Sequence, residues 1–168
     1  MEVRRAALSD LPQVLAILSE SSRWERDRKI SDPWPYPFPV ERVVPGLERG
    51  EVFLAFLEEP APVATVNLSW DDARFWGPQP PVAGYVHRLA VRPRFGGRGL
   101  GRALIQWAAE RVRSEQRAFL RLDCLASNAR LCRYYTDLGF EPRGLVTVDG
   151  FVCAKFERPV GRSAHGQS

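Results

Sequence analysis

The stretch that decides the fold reads Val91-Arg92-Pro93-Arg94-Phe95-Gly96-Gly97-Arg98-Gly99-Leu100-Gly101-Arg102. Before it, Val82 to Val91 has the composition of a strand. After it, Leu100, Leu104, Trp107, Ala108 and Val112 recur at helical spacing, which predicts an amphipathic helix to about Ser114. Four glycines, Gly96, Gly97, Gly99 and Gly101, therefore join a strand to a helix. Glycine lets the chain turn tightly and brings amide N–H groups within reach of a ligand. The first turn of a helix adds unpaired donors and a positive dipole end, where phosphate oxygens bind. With Arg94, Arg98 and Arg102 around the same turn, the physical reading is a pyrophosphate site. The alternative, a glycine-rich turn without a ligand, leaves the flexibility of four glycines without a use.

Two other phosphate motifs do not match. A P-loop places Lys and a hydroxyl residue where this chain has Arg102-Ala103. The dinucleotide fingerprint wants a third Gly or Ala three residues after the second glycine. Counting from Gly97 and Gly99 puts Arg102 there, and counting from Gly99 and Gly101 puts Leu104.

Charge points to the same place. The chain of 168 residues carries a formal net charge of +4, but Arg88 to Arg133 alone holds eleven arginines against Glu110, Glu115 and Asp123, a local +8. The remainder sums to −4. A chain of this length can form one domain with a core that needs no disulfide or metal. No run approaches the ~20 apolar residues of a bilayer span, and the N-terminus turns polar too quickly for a secretory signal. Cys124, Cys132 and Cys153 are odd in number and lack metal-ligand spacing, and there are only two histidines, His87 and His165. The expectation is a cytoplasmic protein without a metal and without a membrane partner.

The remaining elements follow from periodicity. Val3 to Ala6 reads as a strand, and Ser9 or Asp10 starts a helix with Leu11, Val14, Leu15 and Leu18 on one face, ending near Arg23. Trp24 to Pro39, with its alternating prolines and aromatics, reads as a loop. A short helix follows around Val40 to Arg49, then a strand over Glu51 to Glu58. Val63 to Trp70 alternates as a half-buried hairpin strand, and residues 71–81 read as loop. Ala118 to Cys124 is a strand. Ser127 or Asn128 caps a helix bearing Leu131, Tyr134, Tyr135 and Leu138, which Gly139 stops. Two final strands turn at Asp149-Gly150, and residues 159–168 read as a disordered tail.

Leu89-Ala90-Val91, Pro93 and Gly97-Arg98-Gly99-Leu100-Gly101-Arg102 at a helix start resemble the acyl-CoA-binding motif of the GCN5-related N-acetyltransferases (GNAT). Downstream, Asn128, Tyr135 seven residues on, and Leu138-Gly139-Phe140 resemble that family's second motif. The resemblance covers about residues 2–157. It implies a single-domain α/β GNAT-like fold over residues 1–158, with a mixed central sheet of about six to seven strands and about four helices. It also implies acetyl-CoA as co-substrate. The backbone of Leu89, Ala90 and Val91 would then hold the acetyl group and pantetheine, and the amides of Gly97 to Arg102 the pyrophosphate, with Asn128 also touching the cofactor. One departure stands at Gly96, where the family usually has Gln or Arg.

Amine acetylation needs a neutral amine, a stabilised oxyanion and a proton for the leaving thiolate. By the resemblance Tyr135 is the general acid; by helical position it is equally a core aromatic. Asp123, five residues before Asn128, stands where the family's ribosomal-protein alanine acetyltransferases carry a glutamate base. The base is Asp123, His87 or a water relay. Cys124 falls on the apolar face with Leu120 and Leu122 and reads as a buried structural thiol. In the family the acceptor cleft corresponds to Trp24–Pro39 and Trp70–Pro81, whose aromatics and acids either bind an amine with an apolar body or form a packed lid or dimer interface. The leading expectation is transfer to a primary amine of a small molecule by direct attack in a ternary complex. The alternatives are a peptide or protein N-terminal amine as acceptor, or a non-catalytic acyl-CoA-binding regulatory domain. No nucleic-acid motif appears, so nucleic acid is not an expected partner, and the expected state is a monomer or homodimer.

Overall fold

The computed structural model describes residues 1–30 and 34–161. Seven strands form one mixed sheet in the order β1-β2-β3-β4-β5-β7-β6. They are β1 Glu2–Arg5, β2 Val52–Phe56, β3 Ala64–Ser69, β4 Ala83–Val91, β5 Phe119–Leu125, β6 Glu141–Val148 and β7 Phe151–Pro159. Five α-helices accompany them: α1 Leu11–Asp27, α2 Val44–Glu48, α3 Ala73–Trp76, α4 Leu100–Ser114 and α5 Ala129–Asp137. The sheet is the expected α/β architecture at the upper end of the expected strand number. None of the described helices is long and apolar enough to cross a membrane.

The chain divides into two compact units. Met1–Leu68 with His87–Gly101 forms the first, and Ser69–Val86 with the chain from Arg102 onward forms the second. In the first unit β1 pairs antiparallel with β2, and β2 with β3. Val14, Ile17 and Leu18 of α1 join Val43, Leu47, Val52, Leu54 and Ala90 in its core. Asp10 precedes α1 but does not cap it with its side chain. Its carboxylate instead accepts from the Ala7 N–H and, at 2.8 and 2.9 Å, from both terminal nitrogens of Arg4. That fork holds the Asp10 carboxyl down at about 2.

Several local expectations change. Helix α1 continues through Trp24, Glu25 and Asp27, beyond the expected stop at Arg23. An Arg23–Asp27 pair one turn apart and the Arg28 guanidinium 4.1 Å from the Trp24 ring centre support this last turn. In the remaining loop, Ser31, Asp32 and Pro33 lie outside the described residues. Phe38 is core, with Trp34 edge-on to it at 5.8 Å. The Ser22 hydroxyl donates to the carbonyls of Trp34 and Pro35, and the Phe38 N–H donates to Ser19 Oγ. Strand β3 is buried on both faces, because Thr65 satisfies its hydroxyl on the Phe53 carbonyl and is 1% exposed. The alternation of small polar residues therefore marked a central strand, not a half-solvated one.

In the second unit β4 and β5 run parallel, with Ala83–Tyr85 opposite Phe119–Arg121. A parallel pair needs a crossover, and α4 provides it, with Leu104, Ile105, Ala108, Ala109 and Val112 buried. β5 then pairs antiparallel with β7, and β7 with β6. Asp149 and Gly150, at φ 50° and 80°, make the tight turn between the last two strands. Pro159 still belongs to β7, and the Val160 N–H donates to the Ala118 carbonyl, so the ladder reaches into the expected tail. Residues 162–168 lie outside the described residues. The segment expected as loop over 71–81 contains α3, whose N-terminus Asp72 caps by accepting from the Phe75 N–H.

Candidate functional site

The glycine turn belongs to the first unit. Pro93–Phe95 forms a single 3-10 turn that buries Phe95, and the Gly96 N–H closes it on the Pro93 carbonyl. Gly97 and Gly99 follow at φ 73° and 74°, conformations that a residue with a Cβ adopts only under strain. A Cβ on either would meet nothing within 4 Å, so the requirement is one of backbone angle and not of crowding. Gly96 to Gly99 are exposed, and Leu100 then begins α4 with its side chain buried. The exposed turn thus stands at the head of a fifteen-residue helix. Main-chain N–H groups at a helix start are the kind of donor that binds phosphate oxygens.

The arginines around the turn divide by task. Arg92 is committed inward, bonding the Pro62 carbonyl at 2.9 Å and the Glu20 carboxylate. Arg94 is exposed, 3.7 Å from Glu59, and Arg98 lies over the Phe95 ring at 5.5 Å. Arg98 and Arg102 are exposed. Just before the turn, Arg88 stands at φ 47° in the middle of β4. An L-residue held there costs energy, just ahead of Leu89, Ala90 and Val91. Its guanidinium bonds the Arg42 carbonyl and lies over Phe38 at 5.6 Å. Sequence patterning gives no sign of this positive φ.

The second unit carries the acid–base candidates on the two faces of β5. On one face Arg121 and Asp123 alternate with buried apolar neighbours. Arg121 and Glu157 are both buried and joined at 2.7 Å, with Tyr85 Oη 2.9 Å from Arg121 and Arg143 3.2 Å from Glu157. Arg121 is therefore the partner of Glu157. Asp123 lies half-buried, and one of its carboxylate oxygens is within 4.8 Å of one of Asp72. This meeting joins Asp72, the cap of α3, to the middle of β5.

The other face of β5 bears Leu120, Leu122 and Cys124, all buried, as the alternation predicts. Helix α5 covers it. Asn128 caps that helix, its Oδ1 accepting from the Leu131 N–H at 3.1 Å, which leaves its amide NH₂ as a donor. Tyr135 is buried against Phe140 and Phe156, with ring centres 5.9 Å apart in both cases. Burial pushes its phenol well above the ordinary tyrosine value. Burial likewise raises the Cys124 thiol, as expected of a cysteine on the apolar face of β5.

The sequence profile of the Acetyltransferase (GNAT) family matches residues 15–140, taking in the glycine turn, Asp123, Asn128 and Tyr135. The chain belongs to the GNAT family. It is an acetyl-CoA-dependent acetyltransferase. It is 30% identical over 147 residues to YesJ, an uncharacterised N-acetyltransferase of Bacillus subtilis strain 168, covering 83% of this chain and 81% of that one. Its fold superposes with a TM-score of 0.79 on a GNAT-family acetyltransferase of Listeria monocytogenes 4b F2365, at 24% identity over 94% of both chains. With the Escherichia coli ribosomal-protein-S18-alanine N-acetyltransferase the TM-score is 0.69, at 19% identity over 99% of this chain and 98% of that one.

Set against this GNAT framework, Leu89, Ala90, Val91, Gly97, Arg98, Gly99, Leu100 and Gly101 follow one another along the end of β4, the turn and the start of α4 in the first unit. His87 opens that same stretch, half-buried on β4. Arg102, Asp123, Asn128 and Tyr135 belong to the second unit. In the sequence Asp72 is one of the acids of the Trp70–Pro81 segment. The signal that could have found it is Asp72 followed by Ala73-Arg74-Phe75-Trp76, an Asp N-cap ahead of one helical turn.

Proposed function

We propose that this GNAT enzyme acetylates the α-amine of a peptide or protein N-terminus. Asp123 takes the amine proton and Tyr135 returns one to the departing thiolate. The observation that carries the reading is the approach of the Asp72 and Asp123 carboxylates within 4.8 Å. Asp72 is held by its capping bond to Phe75, so it offers a fixed negative group beside the base. Two carboxylates so placed hold an incoming ammonium and then accept its proton.

Amine acidity favours this acceptor. An α-amine loses its proton near ~8, whereas a lysine-like alkylamine does so near ~10.4. At neutral pH the first is already partly neutral, and an aspartate has little to remove; the second would need a stronger base. The fold shared with an enzyme named for acetylating a ribosomal-protein alanine agrees with this choice. The case for a small amine with an apolar body is weaker, because Trp34, Phe38 and Trp76, counted toward an aromatic cleft, are spent on packing.

Tyr135 suits the acid role by protonation state. Its raised affinity for a proton keeps it neutral at physiological pH, so it holds a proton to give; a thiolate is a weaker base than this phenolate, so the transfer runs uphill and accompanies cleavage of the C–S bond in the transition state. The test is release of free thiol from acetyl-CoA with three acceptor sets: short peptides, the same peptides blocked at the N-terminus, and small primary amines. Rapid release with the first set alone is expected. Release with small amines and none with peptides would replace the acceptor class, and no release with any set would favour a regulatory acyl-CoA-binding domain.

A further inference from the structure

Cys124 on β5 and Cys132 on α5 bring their sulfurs to 3.6 Å, already in S–H···S contact, and Cys132 Sγ also approaches the Leu125 carbonyl at 3.7 Å. Both residues belong to the second unit. We propose that these two thiols form a reversible disulfide under oxidation, and that the bond restrains the helix carrying Tyr135 and so slows acetyl transfer. The second half rests on the acid role of Tyr135 given above; the first does not.

The geometry supports the bond in three ways. A disulfide needs the sulfurs ~2.05 Å apart, so the pair must close by roughly 1.6 Å, within reach of side-chain rotation and a small helix shift. Cys132 is partly exposed while Cys124 is 8% exposed, so an oxidant meets Cys132 first and finds its resolving thiol behind it. Cys153, the third cysteine, is in register with Leu125 in the β5–β7 ladder, whereas Cys124 is in register with Ala154. Side chains alternate across a strand, so Cys153 stands on the opposite face of the sheet and does not compete.

The chemistry balances with hydrogen peroxide as the two-electron oxidant. The Cys132 thiolate attacks one peroxide oxygen, the O–O bond breaks, and Cys132 sulfenic acid and hydroxide form. The Cys124 thiol then displaces the sulfenic oxygen, the S–S bond forms and water leaves. A dithiol reductant reverses it by thiol–disulfide exchange.

Helix α5 is nine residues long and has Cys132 one turn before Tyr135. Tethering its first half to β5 changes where that phenol sits, and small misplacements of reacting groups cost large factors in rate.

The test treats the full chain with hydrogen peroxide and reads mass and activity separately. Trypsin cuts after Arg121, Arg130 and Arg133, so the disulfide joins the fragment 122–130 to the fragment 131–133. The expected result is that joined species, a fall in free thiols from three to one, and a loss of acetyl transfer of about tenfold that dithiothreitol restores. Cys132→Ser should keep its activity through peroxide and form no link, while Cys153→Ser should behave as the wild type. Three persisting thiols, sulfinic acid at Cys132 without a link, or a link through Cys153 would overturn the disulfide. A disulfide that forms without changing the rate would overturn its restraint of transfer. If no amine is acetylated at all, the acetylation reading fails, and the fragment masses still decide the disulfide.

Discussion

In the proposed reaction the glycine turn and strand β5 contribute by opposite routes. The turn, Gly96 to Gly99, acts through its main chain: its angles at Gly97 and Gly99 matter, and no side chain crowds it. Strand β5 acts through side chains, with charges on one face and a core on the other, and its main chain is spent on two neighbouring strands. A main-chain site can be damaged by any residue that cannot adopt its angles and is little affected by loss of a nearby charge. A side-chain site is destroyed by changing a single atom.

Five substitutions and a pH profile test that contrast. Asp123→Asn changes one atom and should lower kcat about 10²- to 10³-fold, with the acetyl-CoA Kd from calorimetry unchanged; equal losses in both would merge the two routes. On the same face, Glu157→Ala leaves the Arg121 guanidinium buried without its partner and should cost about 3 kcal/mol in urea unfolding. Tyr135→Phe removes a proton donor from the core without removing the ring, so kcat should fall about 10- to 100-fold at little cost in stability. Because burial holds that phenol above its ordinary value, the wild-type rate should show no alkaline fall from Tyr135 up to about pH 10. A deprotonation limb near pH 8 that Tyr135→Phe abolishes would count against the assignment.

At the turn, Gly99→Val forces a β-branched residue to φ 74° and should raise the KM for acetyl-CoA about tenfold with kcat nearly unchanged. Smallest of all, Arg98→Ala should raise that KM only about threefold, and less at high salt, since a surface charge is screened. A loss at Arg98 larger than that at Gly99 would mean that the turn binds through its side chains after all.

The same contrast explains what could be read from the sequence. Glycines at set spacing report backbone angles directly, so the turn, the start of α4 at Leu100 and its end at Ser114 were all legible. Strict alternation made both faces of β5 legible as well. Legibility failed where meaning depends on a distant partner. Thr65 looked solvent-facing until Phe53 supplied its acceptor, and Trp34 and Phe38 looked like a cleft until α1 packed on them. Asp72 looked like one acid among many until β5 brought Asp123 near it. Within the local block of +8, Arg92, Arg117 and Arg121 spend hydrogen bonds on carbonyls or carboxylates of the fold itself, which the charge count does not show. The strain at Arg88 left no trace in composition or period.

The account stands on the acceptor being an α-amine that meets Asp123 and Asp72. The most direct measurement supplies a peptide carrying both a free N-terminus and a lysine, incubates it with the enzyme and acetyl-CoA, and locates the new acetyl group by fragmentation. The account predicts one acetyl group on the N-terminal nitrogen, lost when Asp123 is changed to Asn. Acetylation of the lysine side chain, or an N-terminal product undiminished in Asp123→Asn, would contradict it.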